Sequence, residues 1–226
     1  MDNNMVNSEN NYSEKIYKTV SDLGIAEITE KKSRFIGYVR PVETEEDALE
    51  YLNYIKQKHR DARHNVYAYV VRKNNIMRYS DDGEPGGTAG MPVLDIIKKE
   101  GLTDIIIVVT RYFGGILLGT GGLVHAYSSA AKAGIEAAKV AEMVLCRKIT
   151  VDCDYNMIGK VQYEAAQNPC VIQGEVRYTE KAEADFYVPV DYENSFVTAI
   201  KDKTNGSADI IIGDIDYFED NNRNNK

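Results

Sequence analysis

The 226-residue chain has no tryptophan, and it has only three cysteines and three histidines. The cysteines form no CxxC pair and are odd in number, which is typical of buried thiols in a reducing compartment and not of disulfides or zinc ligands. No apolar run approaches the roughly 20 residues that cross a bilayer, and the first residues lack the order of a signal peptide. These absences predict a cytoplasmic protein without a membrane contact.

Positive charge is also scarce, and it is distributed unevenly. The formal net charge is −8. Residues 1–144 contain 18 basic and 20 acidic side chains, whereas residues 145–226 contain 9 basic and 15 acidic ones. Because nucleic-acid binding needs a basic surface, the composition disfavours such a surface in the second half and leaves room for a local basic patch in the first.

Both ends of the chain lack the apolar residues of a core. Residues 1–14 and 219–226 are polar and rich in asparagine, so we predict disordered tails there. The chain as a whole is 43% hydrophobic, which is a globular composition. A change of pattern near residues 140–146 divides the remainder into two predicted domains, residues 15–142 and residues 147–218.

The second domain has the clearer pattern. Period-two alternation predicts strands over residues 148–153, 170–178, 184–190 and 208–218. A helix whose apolar side includes Val161 and Ala165 separates the first two strands, and a helix around Phe196 and Ile200 separates the last two. The order strand, helix, strand, strand, helix, strand predicts a ferredoxin-like βαββαβ fold.

The first domain is predicted to be a mixed α/β domain. Strands are expected over residues 34–42, 65–71, 77–79 and 105–109, and the continuous β-branched run in the last of these indicates a strand buried on both faces. Helices are expected over residues 45–60, 92–99 and 120–139. Thr44 and Asp47 form a variant of the capping box at the start of the first helix. The fold class of the whole chain is therefore predicted to be α+β.

The segment RYFGGILLGTGGLVHAY, residues 111–127, connects the buried strand to the last helix of the first domain. The free amides and the dipole at a helix N-terminus attract anions, and glycine lets a ligand approach the backbone. The spacing matches neither the dinucleotide fingerprint nor the phosphate loop. We expect Arg111 to meet solvent and to neutralise a phosphate. Further donors are expected from His125 and from the amides of five glycines, Gly114, Gly115, Gly119, Gly121 and Gly122.

A second glycine-rich segment, SDDGEPGGTAG over residues 80–90, contains three carboxylates, those of Asp81, Asp82 and Glu84. Asp-Gly and Pro-Gly are ordinary turn formers, so a purely structural turn is one interpretation. In the other, the carboxylates hold Arg78 and Arg111 in place at neighbouring strand ends. That hypothesis requires the two glycine-rich segments to meet in space.

The remaining candidates are a histidine and a few basic side chains. His64 stands at the entry to a strand, but no serine or cysteine lies in a nucleophile motif, so a nucleophilic triad has no support. A small basic patch is a further candidate, although solvated faces carry such residues by default. Its members would be Lys31, Lys32, Arg34, Arg60 and Arg63.

Three groups of residues together resemble the YigZ/IMPACT family: KSRFI over residues 32–36, YSDDGEP with GTAG over residues 79–90, and residues 111–127. The resemblance covers residues 15–218. It implies a ribosomal-protein-type βαβ fold for the first domain, as in part of elongation factor G, and the ferredoxin-like last domain of that factor for the second. The ligand-binding candidates are then Arg111, Tyr112, Gly114, Gly115, Gly119, Gly121, Gly122 and His125, supported by Arg34, His64, Arg78, Asp81, Asp82, Glu84 and Thr88.

The resemblance also implies a function. The eukaryotic relative regulates translation by competing for the activator of a stress kinase, and nucleic-acid or ribosome binding by bacterial members has been inferred from their fold. We therefore expect a non-enzymatic protein of the translation-regulator type that binds RNA, the ribosome or another anionic ligand through the glycine-rich loop, with no cofactor, metal or catalytic residue. Two alternatives stay open: a metal-assisted hydrolase or phosphoryl-transfer enzyme using Asp81, Asp82 and Glu84, and a module that binds a protein partner.

Overall fold

The computed structural model describes residues 14–220 of the chain. The predicted tails lie almost entirely outside these residues, although the last strand runs to Glu219 and so enters the second of them. The described chain divides into two compact units. The N-terminal unit is Lys18–Glu142, and the C-terminal unit consists of residues 14–17 and 143–220.

Ten strands and five α-helices make up the described chain. The first elements are β1 (Ile16–Val20), β2 (Gly24–Glu30), β3 (Ser33–Pro41), α1 (Glu45–Lys58), β4 (His64–Val71), β5 (Ile76–Ser80), α2 (Gly90–Lys99), β6 (Ile105–Tyr112) and α3 (Gly119–Ala138). They are followed by β7 (Val140–Cys153), α4 (Ile158–Ala166), β8 (Ile172–Tyr178), β9 (Ala182–Pro189), α5 (Glu193–Lys203) and β10 (Asp209–Glu219). This content confirms the predicted α+β class.

The sheet of the N-terminal unit has the strand order β2-β3-β6-β4-β5, and each neighbouring pair is antiparallel. β6 lies in the centre, and its residues Ile105 to Val109 have no exposed surface. The sequence predicted this strand correctly because a strand covered on both faces needs apolar side chains at every position.

Helices cover both faces of this sheet: α2 and α3 pack on one face and α1 packs on the other. A Cβ atom at Gly37 would collide with the backbone carbonyl of Ala130, and one at Gly24 would collide with that of Gly134. Because these glycines have no side chain, α3 lies directly against β2 and β3. Among residues 14–220, no helix combines the length and apolar character needed to cross a membrane.

The start of α1 has the expected capping box. The Asp47 amide donates to Thr44 Oγ1 over 3.1 Å, and the Thr44 amide donates to Asp47 Oδ2 over 3.0 Å. Two amides at this helix end therefore have side-chain acceptors.

The C-terminal unit has the strand order β8-β9-β7-β10, again with antiparallel neighbours. Its core includes Ile149, Phe186, Phe196 and Ile200, and it lies between this sheet and the helices α4 and α5. Strand order and helix placement are those of the predicted ferredoxin-like fold. β1 also pairs with β7 in this sheet.

Two strands were not predicted, and β7 is much longer than predicted. β1 is short, and β2 is an edge strand whose inward residues Ala26 and Ile28 are only partly buried. Neither strand has the apolar alternation on which the prediction depended. β7 begins at Val140 instead of residue 148, and its residues from Met143 onward pair with β10.

Candidate functional site

The candidate site lies where three neighbouring strands of the N-terminal sheet present side chains on one face. In the strand register, Arg111 of β6 is opposite Phe35 of β3 on one side and opposite His64 of β4 on the other. Directly opposite residues share a face of the sheet. Glu84, from the loop before α2, and Tyr127, from α3, cover this row.

Two loops frame the site. The acidic loop, residues 81–89, connects β5 to α2, and the apolar loop, residues 113–118, connects β6 to α3. Arg111 lies one residue before the last residue of β6, and Glu84 lies within the acidic loop.

Arg111 and Glu84 form a buried ion pair. Arg111 Nη1 donates to Glu84 Oε1 over 2.6 Å, and the Tyr127 hydroxyl donates to the same oxygen over 2.8 Å. The two charged side chains are 7% and 4% exposed. Burial and the nearby charge of Glu84 raise the pKa of Tyr127 far above its ordinary value, so the phenol stays protonated and donates.

This geometry corrects one prediction and supports another. Arg111 was expected to meet solvent and a phosphate, but it is buried and its charge is already paired with Glu84. The prediction failed because the acidic loop folds over the end of β6 and brings a carboxylate to the guanidinium. The hypothesis that the two glycine-rich segments meet is confirmed by the same contact.

His64 is fixed beside this pair. Its Nδ1 lies 2.8 Å from the carbonyl oxygen of Asp82, and because a carbonyl only accepts, Nδ1 carries the proton. Its Nε2 lies 3.9 Å from Glu84 Oε1. His64 therefore supports the acidic loop from the sheet.

The other two carboxylates of the acidic loop bind their own donors. Asp81 Oδ1 accepts from the amides of Ala89 and Gly90 over 3.0 and 2.8 Å, and its Oδ2 accepts from Gly87 over 2.9 Å. The Asp81 carboxylate thus occupies the N-terminus of α2. Asp82 Oδ2 accepts from the amide of Asn65 over 2.6 Å.

The expectation that all three carboxylates hold Arg78 and Arg111 is therefore wrong except for Glu84 and Arg111. Arg78 of β5 lies 4.0 Å from Glu45 instead. Thr88 donates to the Pro85 carbonyl over 2.7 Å within the loop. Among residues 14–220, no group of three or more His, Cys, Asp or Glu side chains could hold a metal ion.

Tyr112 and Arg34 lie on the opposite face of the sheet, with α1. The Tyr112 hydroxyl contacts His59 Nδ1 at 2.8 Å and donates to Asp61 Oδ1 over 3.0 Å. Burial lowers the pKa of His59, so this network contains a neutral imidazole. Arg34 makes two hydrogen bonds with Glu27. The side chains of Tyr112 and Arg34 therefore do not join the site around Arg111, which lies on the other face.

The apolar loop is packed at one end and exposed at the other. A Cβ atom at Gly114 would collide with the Lys32 carbonyl, and the Gly114 amide donates to Ser33 Oγ over 3.1 Å. Gly114 thus lets the loop lie against the turn between β2 and β3. Beyond it, the side chains of Ile116 and Leu117 are 42% and 83% exposed.

The turn that touches this loop is basic and has an unusual backbone. Glu30 pairs with Ser33, so Lys31 and Lys32 are the two central residues of a hairpin turn. Their φ angles are 44° and 67°, in the left-handed region that favours glycine. Both side chains are exposed, and neither forms an ion pair with any of residues 14–220.

The N-terminus of α3 has no anion of its own. The residue before the helix is Leu118, no side chain of the described residues caps the helix there, and its first turn contains no acid. Gly119, Thr120 and Gly121 are exposed, and Gly122 is partly so. His125 is exposed on the second turn, as predicted, and Gly115 and Gly119 have positive φ.

Phe113 was not among the predicted site residues, and Lys31 and Lys32 were predicted only as members of a weak basic patch. Phe113 is 41% exposed, and the Arg63 guanidinium carbon lies 5.8 Å from the centre of its ring. No local pattern marks this pair, because Arg63 precedes β4 and Phe113 follows β6. Recognition of β2 would have identified Lys31 and Lys32 as a two-residue turn.

Comparison with known proteins shows the family. Residues 31–135 match the model of the Impact N-terminal domain, and residues 151–207 match a domain of unknown function (DUF1949). IMPACT family member YvyE of Bacillus subtilis is 41% identical over 204 residues, which are 90% of this chain and 94% of that protein. The chain belongs to the IMPACT family.

Other IMPACT proteins match over shorter regions. IMPACT family member YigZ of Escherichia coli is 36% identical over 135 residues, 58% of this chain and 66% of that protein. The IMPACT homolog of Dictyostelium discoideum is 41% identical over 103 residues, 43% of this chain and 29% of that protein. A crystal structure of a hypothetical protein has a TM-score of 0.57 at 28% identity, covering 88% of this chain and 97% of that one.

The match to the Impact N-terminal domain includes both loops of the site. In the C-terminal unit, by contrast, a buried carboxylate pairs with the basic side chains around it. On the face of its sheet opposite α4 and α5, Asp185 is 3% exposed and makes two hydrogen bonds with Arg177, at 2.9 and 3.1 Å. Lys148 lies 3.0 Å from the same carboxylate. These contacts hold the pKa of Asp185 well below its usual range, with the Arg177 hydrogen bond as the largest cause. The basic groups of this face are thus already neutralised.

Proposed function

We propose that this IMPACT protein is a non-enzymatic RNA- or ribosome-binding protein of the translation-regulator type. It would bind an anionic ligand at the apolar loop of the N-terminal unit, with the lysine turn and the start of α3 as the charged contacts. The single observation that carries the proposal is the N-terminus of α3, which is exposed and lacks both a side-chain cap and an acid in its first turn. Such a helix end attracts phosphate.

The backbone of the lysine turn supports the proposal. A left-handed conformation costs a residue with a side chain about 1–2 kcal/mol, and two-residue hairpin turns of this kind favour Asn-Gly. Lys31 and Lys32 adopt it at adjacent positions. Keeping two lysines at that cost is understandable if their charges serve a ligand.

Arg111 has a different role from the one the sequence suggested. Its charge is paired with Glu84, so it holds the acidic loop to β6 and fixes the start of the apolar loop. Phosphate charge would be met by exposed groups, Lys31, Lys32 and Arg63, and by the amides of α3.

A module that binds a protein partner is the second candidate. The observation that favours it is the exposure of Ile116 and Leu117, since exposed apolar side chains that are adjacent in a loop often lie in interfaces. The metal-assisted enzyme has no such support, because Asp81, Asp82 and Glu84 bind separate donors.

The lysine turn offers a sharp test. Lys31→Asn with Lys32→Gly removes two charges and installs the preferred turn sequence, so the variant should fold at least as well as the parent. Its affinity for RNA is expected to fall about tenfold or more at low salt, and the slope of log affinity against log salt should shrink by about 1.4, the contribution of two phosphate contacts on a single strand. Fluorescence anisotropy with labelled RNA measures both.

The control is Lys98→Gln with Lys99→Gln, which removes two charges from the last turn of α2. α2 leads to the start of β6, whereas the apolar loop follows the end of β6. These lysines therefore lie toward the far end of the sheet from the apolar loop. The control should bind RNA as the parent does. Equal losses in both variants, or no RNA binding by the parent, would overturn the proposal.

A further inference from the structure

Phe113 is held in place from the inside while its outer surface is exposed. The Arg111 guanidinium carbon lies 5.6 Å from the ring centre, and Arg111 is itself fixed by Glu84. The next residue, Gly114, is packed on the Lys32 backbone. The ring is therefore positioned before any ligand arrives, which lowers the entropic cost of a contact to it.

Arg63 lies over the same ring from a different part of the chain. Its guanidinium carbon is 5.8 Å from the ring centre, its side chain is exposed, and it forms no ion pair with the described residues. Because the Arg63 side chain is exposed, its guanidinium can move from the ring to a phosphate, which opens a flat aromatic face for stacking.

The surroundings of Phe113 indicate the kind of ligand. Residues 111–127 contain no acidic side chain, and the neighbouring turn adds Lys31 and Lys32. Ile116 and Leu117 extend the apolar surface. A ligand that joins flat apolar faces to repeated negative charges fits this combination. Single-stranded RNA is such a ligand, whereas a duplex stacks its base faces on one another and hides them.

We propose that the apolar loop binds single-stranded RNA, with one base stacked on Phe113 and the adjacent phosphate bound by Arg63. This inference rests on the proposed function and adds the form of RNA and the stacking residue. The competing partner is an apolar protein segment, which would depend on Ile116 and Leu117 and not on the aromatic character of residue 113.

The test compares binding of a labelled 12-nucleotide RNA and of its duplex to the full chain by fluorescence anisotropy. The parent protein should bind the single strand at least tenfold more tightly than the duplex. Phe113→Leu keeps an apolar side chain and removes the ring, so its affinity for the single strand should fall about tenfold, the usual effect of losing one stacked base. Phe113→Tyr should retain the parent affinity.

Tyr163→Leu is the matched control, since Tyr163 on α4 is 66% exposed and lies in the other unit. It should bind as the parent does. Parent-like binding by Phe113→Leu, or equal binding of duplex and single strand, would overturn the inference. If the lysine-turn variant still lost RNA affinity in that case, the proposed function would stand; absence of RNA binding by the parent would overturn both.

Discussion

The acidic loop and the apolar loop each follow a strand of the same sheet, contain glycines and lead into a helix. They differ in what occupies the helix N-terminus. At α2, Asp81 accepts hydrogen bonds from three amides of its own loop and helix. At α3, no side chain of residues 14–220 does so. Glycine content alone therefore does not decide whether the amides at a helix N-terminus have an acceptor within the chain.

The same contrast holds for charge. In the acidic loop, Glu84 is neutralised by Arg111 and Asp82 accepts from Asn65, so its charges are satisfied internally. Around the apolar loop, Lys31, Lys32 and Arg63 have no ion-pair partner in the described part of the chain. The charges of the acidic loop are thus paired within the chain, whereas the basic side chains around the apolar loop are not paired within residues 14–220.

The largest effect on stability is expected from removing the ion pair that holds the acidic loop. Arg111→Met leaves the Glu84 carboxylate buried without its counter-charge, so the free energy of unfolding should fall by about 3–5 kcal/mol. Adding Glu84→Gln to the same chain removes the stranded charge, keeps an acceptor for Tyr127, and should recover much of the loss. Urea denaturation of the single and double variants measures both effects.

A loss below about 1 kcal/mol for Arg111→Met, the range of exposed ion pairs, would show that this pair does not hold the acidic loop. The internal charge pairing that distinguishes the acidic loop from the apolar loop would then contribute little to stability.

A smaller effect on stability is expected from adding a carboxylate at the N-terminus of α3. Thr120 is the exposed second residue of α3, and Thr120→Asp would give this helix the carboxylate that Asp81 gives α2. The free energy of unfolding should rise by about 0.3–1 kcal/mol, because a negative charge near a helix N-terminus is favourable. RNA affinity should fall several-fold. Thr120→Asn, of the same size without the charge, is the control, and equal RNA affinity of the two variants would contradict the proposed site.

Much of the fold could be predicted because it depends on local patterns. Each correctly predicted feature is a pattern among residues that are neighbours in the sequence. These features are the buried run in β6, the capping box at Thr44 and the alternation in the C-terminal strands. The two-residue period of a strand also places Tyr112 on the opposite face of the sheet from Arg111, where the structure has it.

The details of the site depended on features that sequence patterns do not encode. Which carboxylate reaches Arg111 is decided by the path of the acidic loop, in which Asp82 and Gly83 have φ angles of 45° and 87°. The lysine turn follows from the pairing of β2 with β3, and Arg63 meets Phe113 only after β4 and β6 have paired. These are contacts between segments distant in the chain, so the sequence suggested a functional loop without specifying which charges in it are available.

Whether a ligand binds at the N-terminus of α3 and not at that of α2 can be measured most directly by NMR. Amide chemical shifts of the uniformly ¹⁵N-labelled chain would be followed by NMR during titration with the 12-nucleotide RNA. The amides of Gly119, Gly121 and Gly122 are expected to shift with a common dissociation constant, while those of Ala89 and Gly90 stay unchanged because Asp81 already occupies the start of α2. Saturable shifts at Ala89 and Gly90 with none at the start of α3 would contradict the proposal that the anionic ligand binds at the apolar loop.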